Sequence, residues 1–246
     1  MLLKAQVIMV ASGKGGTGKS TVSVLLGGCL AERGRKVLLV ELDSGLRSVD
    51  IISGVYGKTV YDIQDVLDGR CEGGKAVVES PLYPGLSVIS APYEGGEVQV
   101  GALRQLVAAL QPFFDIILLD TAAGMGAPFR AAMQVCGSAL LVITPDPVTL
   151  RDGGIVCDRL HKEGVTDIRL VVNRLGPRAF ASTTVRDLDE CIDTVGAQLI
   201  AVLPESAALQ SAAAAGETLP ANEPFLQAAR NLAARVIGET VPLMIR

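Results

Sequence analysis

The 246-residue chain has no paired cysteines: Cys29, Cys71, Cys136, Cys157 and Cys191 are scattered, odd in number and free of any C-x-x-C spacing. A disulfide framework and a paired-thiol metal or redox motif are thereby set aside, and the five read as ordinary buried thiols in a reducing compartment. Histidine is nearly missing as well. The single His161 falls at a polar helix end, where a surface position is expected, so no metal site independent of nucleotide is visible. Long apolar runs are also lacking. Lys4 and Gln6 interrupt the N-terminal residues, and no later run approaches the length of a membrane-spanning helix. No block of like charge stands out, and 22 basic against 26 acidic residues give a net charge of −4. Strong nonspecific attraction to DNA is therefore not expected, and the expected location is the cytoplasm.

What is present is a large apolar fraction, 49% of residues, enough for one sizeable core, and residues 1–246 read as a single domain. Strand-like runs at Gln6 to Ala11, Lys36 to Glu41, Leu86 to Ser90, Asp115 to Asp120, Ala139 to Thr144, Ile168 to Asn173 and Gln198 to Val202 alternate with helical stretches. That alternation predicts an α/β fold, a doubly wound and mostly parallel sheet with helices on both faces. Ligands of such sheets sit beyond the carboxyl ends of the strands, so the residues just after each run are the ones to inspect.

The first of these junctions is the most informative. Residues Gly13 to Ser20 satisfy the phosphate-loop pattern G-x-x-x-x-G-K-[ST], after a strand and before a helical pattern running from Thr17 to Leu30. Gly13, Gly15, Gly16 and Gly18, with Thr17 among them, let successive backbone N–H groups wrap a β-phosphate, and the helix opening near Gly18 aims its positive end at the same anion. Lys19 is expected against the β- and γ-oxygens, the Ser20 hydroxyl on Mg²⁺, and Thr21 nearer the α-phosphate. The cofactors implied are ATP or ADP with Mg²⁺. At the end of another run, Asp120 closes an apolar strand in the Walker B manner, expected to hold Mg²⁺ through water and to accept from the Ser20 hydroxyl. After the second run, Glu41 and Asp43 stand two residues apart and would share one side if strand geometry persisted that far.

The string Lys14-Gly15-Gly16-Thr17-Gly18-Lys19-Ser20-Thr21 resembles the deviant Walker A motif of the MinD/ParA superfamily of phosphate-loop ATPases. In that family the first lysine is the signature lysine, which reaches the phosphates of the other subunit in a nucleotide-sandwich dimer. By resemblance Lys14 does so here, although the sequence alone does not distinguish contact in cis from contact in trans. Glu41-Leu42-Asp43-Ser44-Gly45-Leu46-Arg47-Ser48-Val49-Asp50 is similar to the switch I of the MinD type, which assigns Asp43 to orienting the attacking water and to the magnesium shell. Glu41 departs from the aspartate usual there. Thr121 to Gly124 resembles switch II, with Gly124 placing a backbone N–H near the γ-phosphate and Ala122 replacing the common proline. Asn173-Arg174 matches the adenine-reading pair, and Leu203-Pro204-Glu205-Ser206 the segment that closes the other side of the base. From these the resemblance implies cofactor contacts at Asn173, Arg174, Pro204 and Glu205.

The resemblance runs from about Val7 to Gly238 and favours the MinD type over the ParA type, with flagellar-number regulators as near neighbours. It implies a slow Mg-dependent ATPase that cycles between a monomer and an ATP-bound homodimer. A MinC-like division inhibitor and a MinE-like stimulator are the implied partners. The alternative is a ParA-like or flagellar-number positioning ATPase acting on DNA or protein cargo. A ligase of the dethiobiotin or cobyrinate type is a third option, against which Lys14 and the switches argue. The missing paired-cysteine motif also weighs against the iron–sulfur branch. MinD-type chains end in a basic amphipathic helix, whereas Val241-Pro242-Leu243-Met244-Ile245-Arg246 is short and proline-interrupted. Autonomous membrane binding is thus expected to be weak or absent, with any peripheral membrane location reached through a partner. Residues 224–237 are expected to pack Phe225, Leu226, Leu232 and Val236 onto the domain.

Overall fold

Successive residues of strand β1 (Gln6–Ala11) enter opposite cores: Val7, Met9 and Ala11 join one apolar cluster, Ile8 and Val10 the other. A strand buried on both faces reads as a continuous apolar run because neither set of alternate side chains meets water. In the computed structural model, which describes residues 5–45, 47–181 and 183–243, this strand lies near the middle of an eight-stranded sheet. The sequence readings at Lys4, Leu46 and Met244 to Arg246 lie outside the described residues.

The chain then winds outward on one side and returns to fill the other. After α1 (Lys19–Glu32) come β2 (Val37–Glu41), the short helices α2 (Ser48–Ser53) and α3 (Ile63–Leu67), and strands β3 (Val78–Glu79) and β4 (Leu86–Ile89). Helix α4 (Val100–Leu110) leads to β5 (Ile116–Asp120), and α5 (Ala127–Met133) to β6 (Ser138–Ile143). The second half carries α6 (Pro147–Lys162), β7 (Ile168–Leu175), α7 (Leu188–Val195), β8 (Gln198–Pro204), α8 (Ala207–Ala215) and α9 (Pro224–Val236). The strand order is β3-β4-β2-β5-β1-β6-β7-β8, and every pairing is parallel except the antiparallel edge pair β3–β4. The expected doubly wound sheet is what forms. The sequence reading lacked β3, whose two residues are too few to show a period.

Helices α1 and α9 cover one face, and α4, α6 and α7 contribute to the core on the other. In α9, Phe225, Leu226 and Leu232 are buried and Val236 packs against the same cluster, as expected. His161 is exposed at the end of α6, again as expected. The thiols agree less fully. Cys29, Cys157 and Cys191 are buried, whereas Cys71 and Cys136 are half-buried. Burial pushes the Cys29 thiol up to about 12 and the Cys136 and Cys191 thiols up to about 11, so these three resist ionisation. No helix among the described residues is long and apolar enough to cross a membrane.

The parallel register lines up the chemistry. Val10 of β1 and Glu41 of β2 both pair with Asp120 of β5, so the phosphate loop, the first acidic segment and the Walker B aspartate leave the sheet side by side.

Candidate functional site

Gly18 sets the start of α1. Its φ of 86° is in the left-handed region, and a Cβ there would stand 2.4 Å from Asn173 Nδ2. Only glycine satisfies both constraints. Gly13 is needed for a different reason: α6 passes so close that a Cβ would meet the Asp152 backbone at 2.6 Å. No side chain caps α1, so its first N–H groups remain directed into the loop, where the helix field favours an anion.

Lys19 is buried and approaches Asp120 Oδ1 at 3.5 Å, while Asp120 itself is fully buried. The hydroxyl donating to that oxygen belongs to Ser23, at 2.9 Å. This corrects the expectation for Ser20. Ser23 lies one helical turn beyond Lys19 and shares its face of α1, its single hydroxyl hydrogen also within reach of the Lys19 carbonyl at 3.0 Å, whereas Ser20 is half-buried on another face. The second carboxylate oxygen, Asp120 Oδ2, is buried and has no hydrogen-bond partner among the described residues. An unpartnered buried carboxylate oxygen is costly, and one beside a phosphate loop suits a hydrated divalent cation. The donor set therefore fits Mg²⁺.

The two acids after β2 diverge. The strand ends at Glu41, whose side chain is buried and accepts from Val49 N–H and Ala91 N–H, both at 3.3 Å. Desolvation by burial, with the Asp120 charge adding to it, pushes Glu41 up to about 8. Asp43 is half-buried and in the field of the loop. Burial raises its carboxyl, the Lys19 ammonium opposes that rise, and Asp120 adds to it. The shared side expected from strand geometry does not hold, because the chain leaves the strand before Asp43. Beyond it, Arg47 takes the left-handed region at φ 47°, a strain of roughly 1–2 kcal/mol for a residue with a Cβ. It is held by Asp50 at 2.7 Å and by Thr59 at 2.7 Å.

Lys14 is exposed on the loop. Its charge reaches Asp146, the N-cap of α6: burial raises that carboxyl, but hydrogen bonds from Thr144 and Thr149, together with Lys14, bring it below its ordinary value. In switch II, Gly124 has φ 79°, and its N–H donates to the Ser12 carbonyl at 3.0 Å. That N–H is engaged with the phosphate loop here, and it reaches a γ-phosphate only if the bond to Ser12 opens.

Asn173 is likewise engaged with the phosphate loop. Its Nδ2 donates to the Thr17 carbonyl at 2.7 Å and braces the loop, leaving the buried Oδ1 without a partner among the described residues. One N–H of the amide is thus committed to the phosphate loop. Arg174 is exposed and left-handed at φ 57°. Gly18, Thr21, Asn173, Arg174, Pro204 and Glu205, all singled out from sequence, line one cavity of about 250 Å³ with Ser206, Leu209 and Phe225. Pro204 is shared with a second, largely apolar cavity of about 490 Å³ lined also by Leu175, Val202, Pro224, Gln227 and Ala228. Sequence reading passed over these last residues, as it did Ser23 and Asp146. Ser23 could have been found by its i+4 spacing from Lys19, while the cavity residues carry no motif.

The family described as the CobQ/CobB/MinD/ParA nucleotide-binding domain matches residues 8–219. A septum site-determining protein MinD of Synechocystis sp. is 34% identical, covering 97% of this chain and 92% of that protein. Among solved structures, the MinC:MinD cell division complex of Aquifex aeolicus superposes with a TM-score of 0.91 at 31% identity, covering 98% of this chain and 99% of that one. MinD of Pyrococcus horikoshii, solved with Mg-ADP, gives 0.85 at 27% identity, covering 95% and 96%. With its phosphate loop, the lysine at position 14 and the acidic segment after β2 leaving the sheet beside Asp120, the chain belongs to the CobQ/CobB/MinD/ParA nucleotide-binding family and stands with its MinD-type ATPases.

Proposed function

We propose that this chain is a MinD-type division-site ATPase that hydrolyses ATP slowly and uses ATP-dependent dimerisation to time its binding of partners. The observation that carries the reading is the unpartnered buried Asp120 Oδ2 beside Lys19, on a phosphate loop whose Gly18 and Thr21 also line the Pro204 cavity. Gly13, Gly15, Gly16 and Gly18 expose backbone N–H groups to the β-phosphate, Lys19 neutralises charge on the β- and γ-oxygens, and Thr21 lies toward the α-phosphate. Ser20 and Asp120, with Asp43 at the edge of the shell, would hold Mg²⁺, which when bound supplies neutralisation across the transferred phosphoryl group. Asp43 orients water for in-line attack on the γ-phosphorus. The P–O bond to ADP breaks, and the water's proton leaves with phosphate. Exposed Lys14 is free to reach phosphates held by a second copy, and Asn173, Arg174, Pro204 and Glu205 frame the base.

The partner reading is a MinC-like division inhibitor bound in the ATP state and a MinE-like stimulator of turnover, supported by likeness to the MinC:MinD complex. The deciding experiment is the mass in solution of wild type, Lys14→Ala and Asp43→Ala with ATP, ADP or no nucleotide, by light scattering after size exclusion. The expected result is an ATP-dependent dimer that Asp43→Ala preserves and Lys14→Ala weakens. A monomer under every condition despite ATP binding would refute the sandwich mechanism.

A further inference from the structure

Switch I is gripped by four consecutive residues that no motif includes. At the exit of β4, the Ser90 hydroxyl donates to Asp50 Oδ1, and Ala91 N–H donates to Glu41 Oε2 at 3.3 Å. The Pro92 carbonyl accepts from Gly45 N–H at 3.1 Å, and the Tyr93 ring centroid lies 4.1 Å from the Arg47 guanidinium carbon. The grip points fall on both sides of Asp43: Glu41 before it, Gly45, Arg47 and Asp50 after it.

Three of these contacts use backbone or buried groups. Tyr93 differs: it is 56% exposed, yet it stands over an arginine that is only 6% exposed. Its ring is the outer wall that keeps the guanidinium against Asp50 and Thr59. Because Arg47 is held in a left-handed backbone conformation, release of its side chain also frees the backbone to leave it. Beyond Tyr93 the chain continues through Gly95 and Gly96, both at positive φ, so the ring's hold on Arg47 is local.

We infer that Tyr93 is a positioning residue for ATP hydrolysis, its ring on Arg47 fixing the segment that carries Asp43. The inference rests on the hydrolytic reading above. It requires that removing the ring slow the chemical step while nucleotide binding, which depends on the phosphate loop and the Pro204 cavities, stays as it was. A cation–π contact of this exposure corresponds to a fall in kcat of roughly two- to fivefold.

The test combines kinetics with a spectroscopic reporter, made possible because the chain has no tryptophan. Tyr93→Ala is expected to lower kcat by about that factor with KM for Mg-ATP and the Kd for ADP within about twofold of wild type. Tyr93→Phe, which keeps the ring, is expected to restore kcat. Tyr93→Trp places one indole over Arg47, and its emission is expected to differ between Mg-ADP and a nonhydrolysable Mg-ATP analogue. Wild-type kcat in Tyr93→Ala, a loss that Tyr93→Phe does not recover, or equal emission with both nucleotides would each overturn the inference. If wild type binds Mg-ATP but releases no phosphate, the hydrolytic reading fails instead, and the emission of Tyr93→Trp still decides whether this ring follows switch I.

Discussion

Glu41 offers a quantitative test of the buried charge behind the phosphate site. In the unfolded chain its carboxyl titrates near 4.5; in the folded protein, burial and the neighbouring Asp120 move it up to about 8. Between those values the native state holds a proton that the unfolded state has lost, so stability falls as pH rises through this window and levels off above it. The favourable contribution is fully present only below about 4.5. From about pH 6 to about pH 9 the loss from this one group is roughly 3 kcal/mol at 1.36 kcal/mol per pK unit. Glu41→Gln cannot charge. Its amide accepts only one of the two N–H groups from Val49 and Ala91, at a pH-independent cost of about 1–3 kcal/mol. The two proteins are therefore expected to have similar denaturation free energies near about pH 6, with the variant ahead by roughly 3 kcal/mol near about pH 9. For a chain of this size that gap is about 6–12 °C in melting temperature. Urea denaturation of both proteins at the two pH values measures it. A gap between them that stays constant with pH would refute the assignment of a neutral buried Glu41.

Two further outcomes follow from the loop. Gly18→Ala, which combines a positive φ with a clash on Asn173, is expected to lose on the order of 2 kcal/mol of stability and most ADP affinity, whereas Gly15→Ala, whose Cβ meets nothing within 4 Å, is expected to leave stability within about 0.5–1 kcal/mol of wild type; calorimetry with and without ADP separates the two. Ser23→Ala removes the 2.9 Å hydrogen bond to buried Asp120 and is expected to cost about 1–3 kcal/mol in the absence of nucleotide, a loss that Mg-ADP partly offsets; equal denaturation midpoints for the variant and wild type would show that Asp120 does not depend on this hydroxyl.

The protein's own hydrogen bonds at the site were not legible in the sequence, for one reason. The sequence points to Ser20, Gly124 and Asn173 through what a bound nucleotide asks of them, and it contains no information about what the same segments bond to inside the protein. Asp120 takes its hydroxyl from Ser23, the Gly124 N–H goes to Ser12, and the Asn173 amide goes to Thr17. Each partner lies on a segment distant in sequence that the fold brings close: Ser23 on α1 over β5, Ser12 at the end of β1 beside β5, and Thr17 in the loop near the end of β7. Sheet register set Glu41 apart from Asp43 by ending β2 at Glu41, opposite Asp120.

Local patterns determined much of this protein by themselves. Continuous apolar runs of strand length specified a parallel sheet buried on both faces, since only burial on both sides favours such runs over alternation. The glycine spacing around Lys14 and Lys19 specified a phosphate loop, because backbone wrapping of an anion leaves no room for side chains. Those requirements are met within ten or fifteen residues, so the sequence states them outright. Tertiary structure decided what depends on distant segments meeting: the pairing of Ser23 with Asp120 across 97 residues, the bracing of Thr17 by Asn173 across 156, the burial that raises the Glu41 carboxyl and the Tyr93 ring over Arg47. Burial, and the charge and hydrogen-bond balance that follows from it, belongs to the packed molecule, because it depends on which elements exclude water from each group.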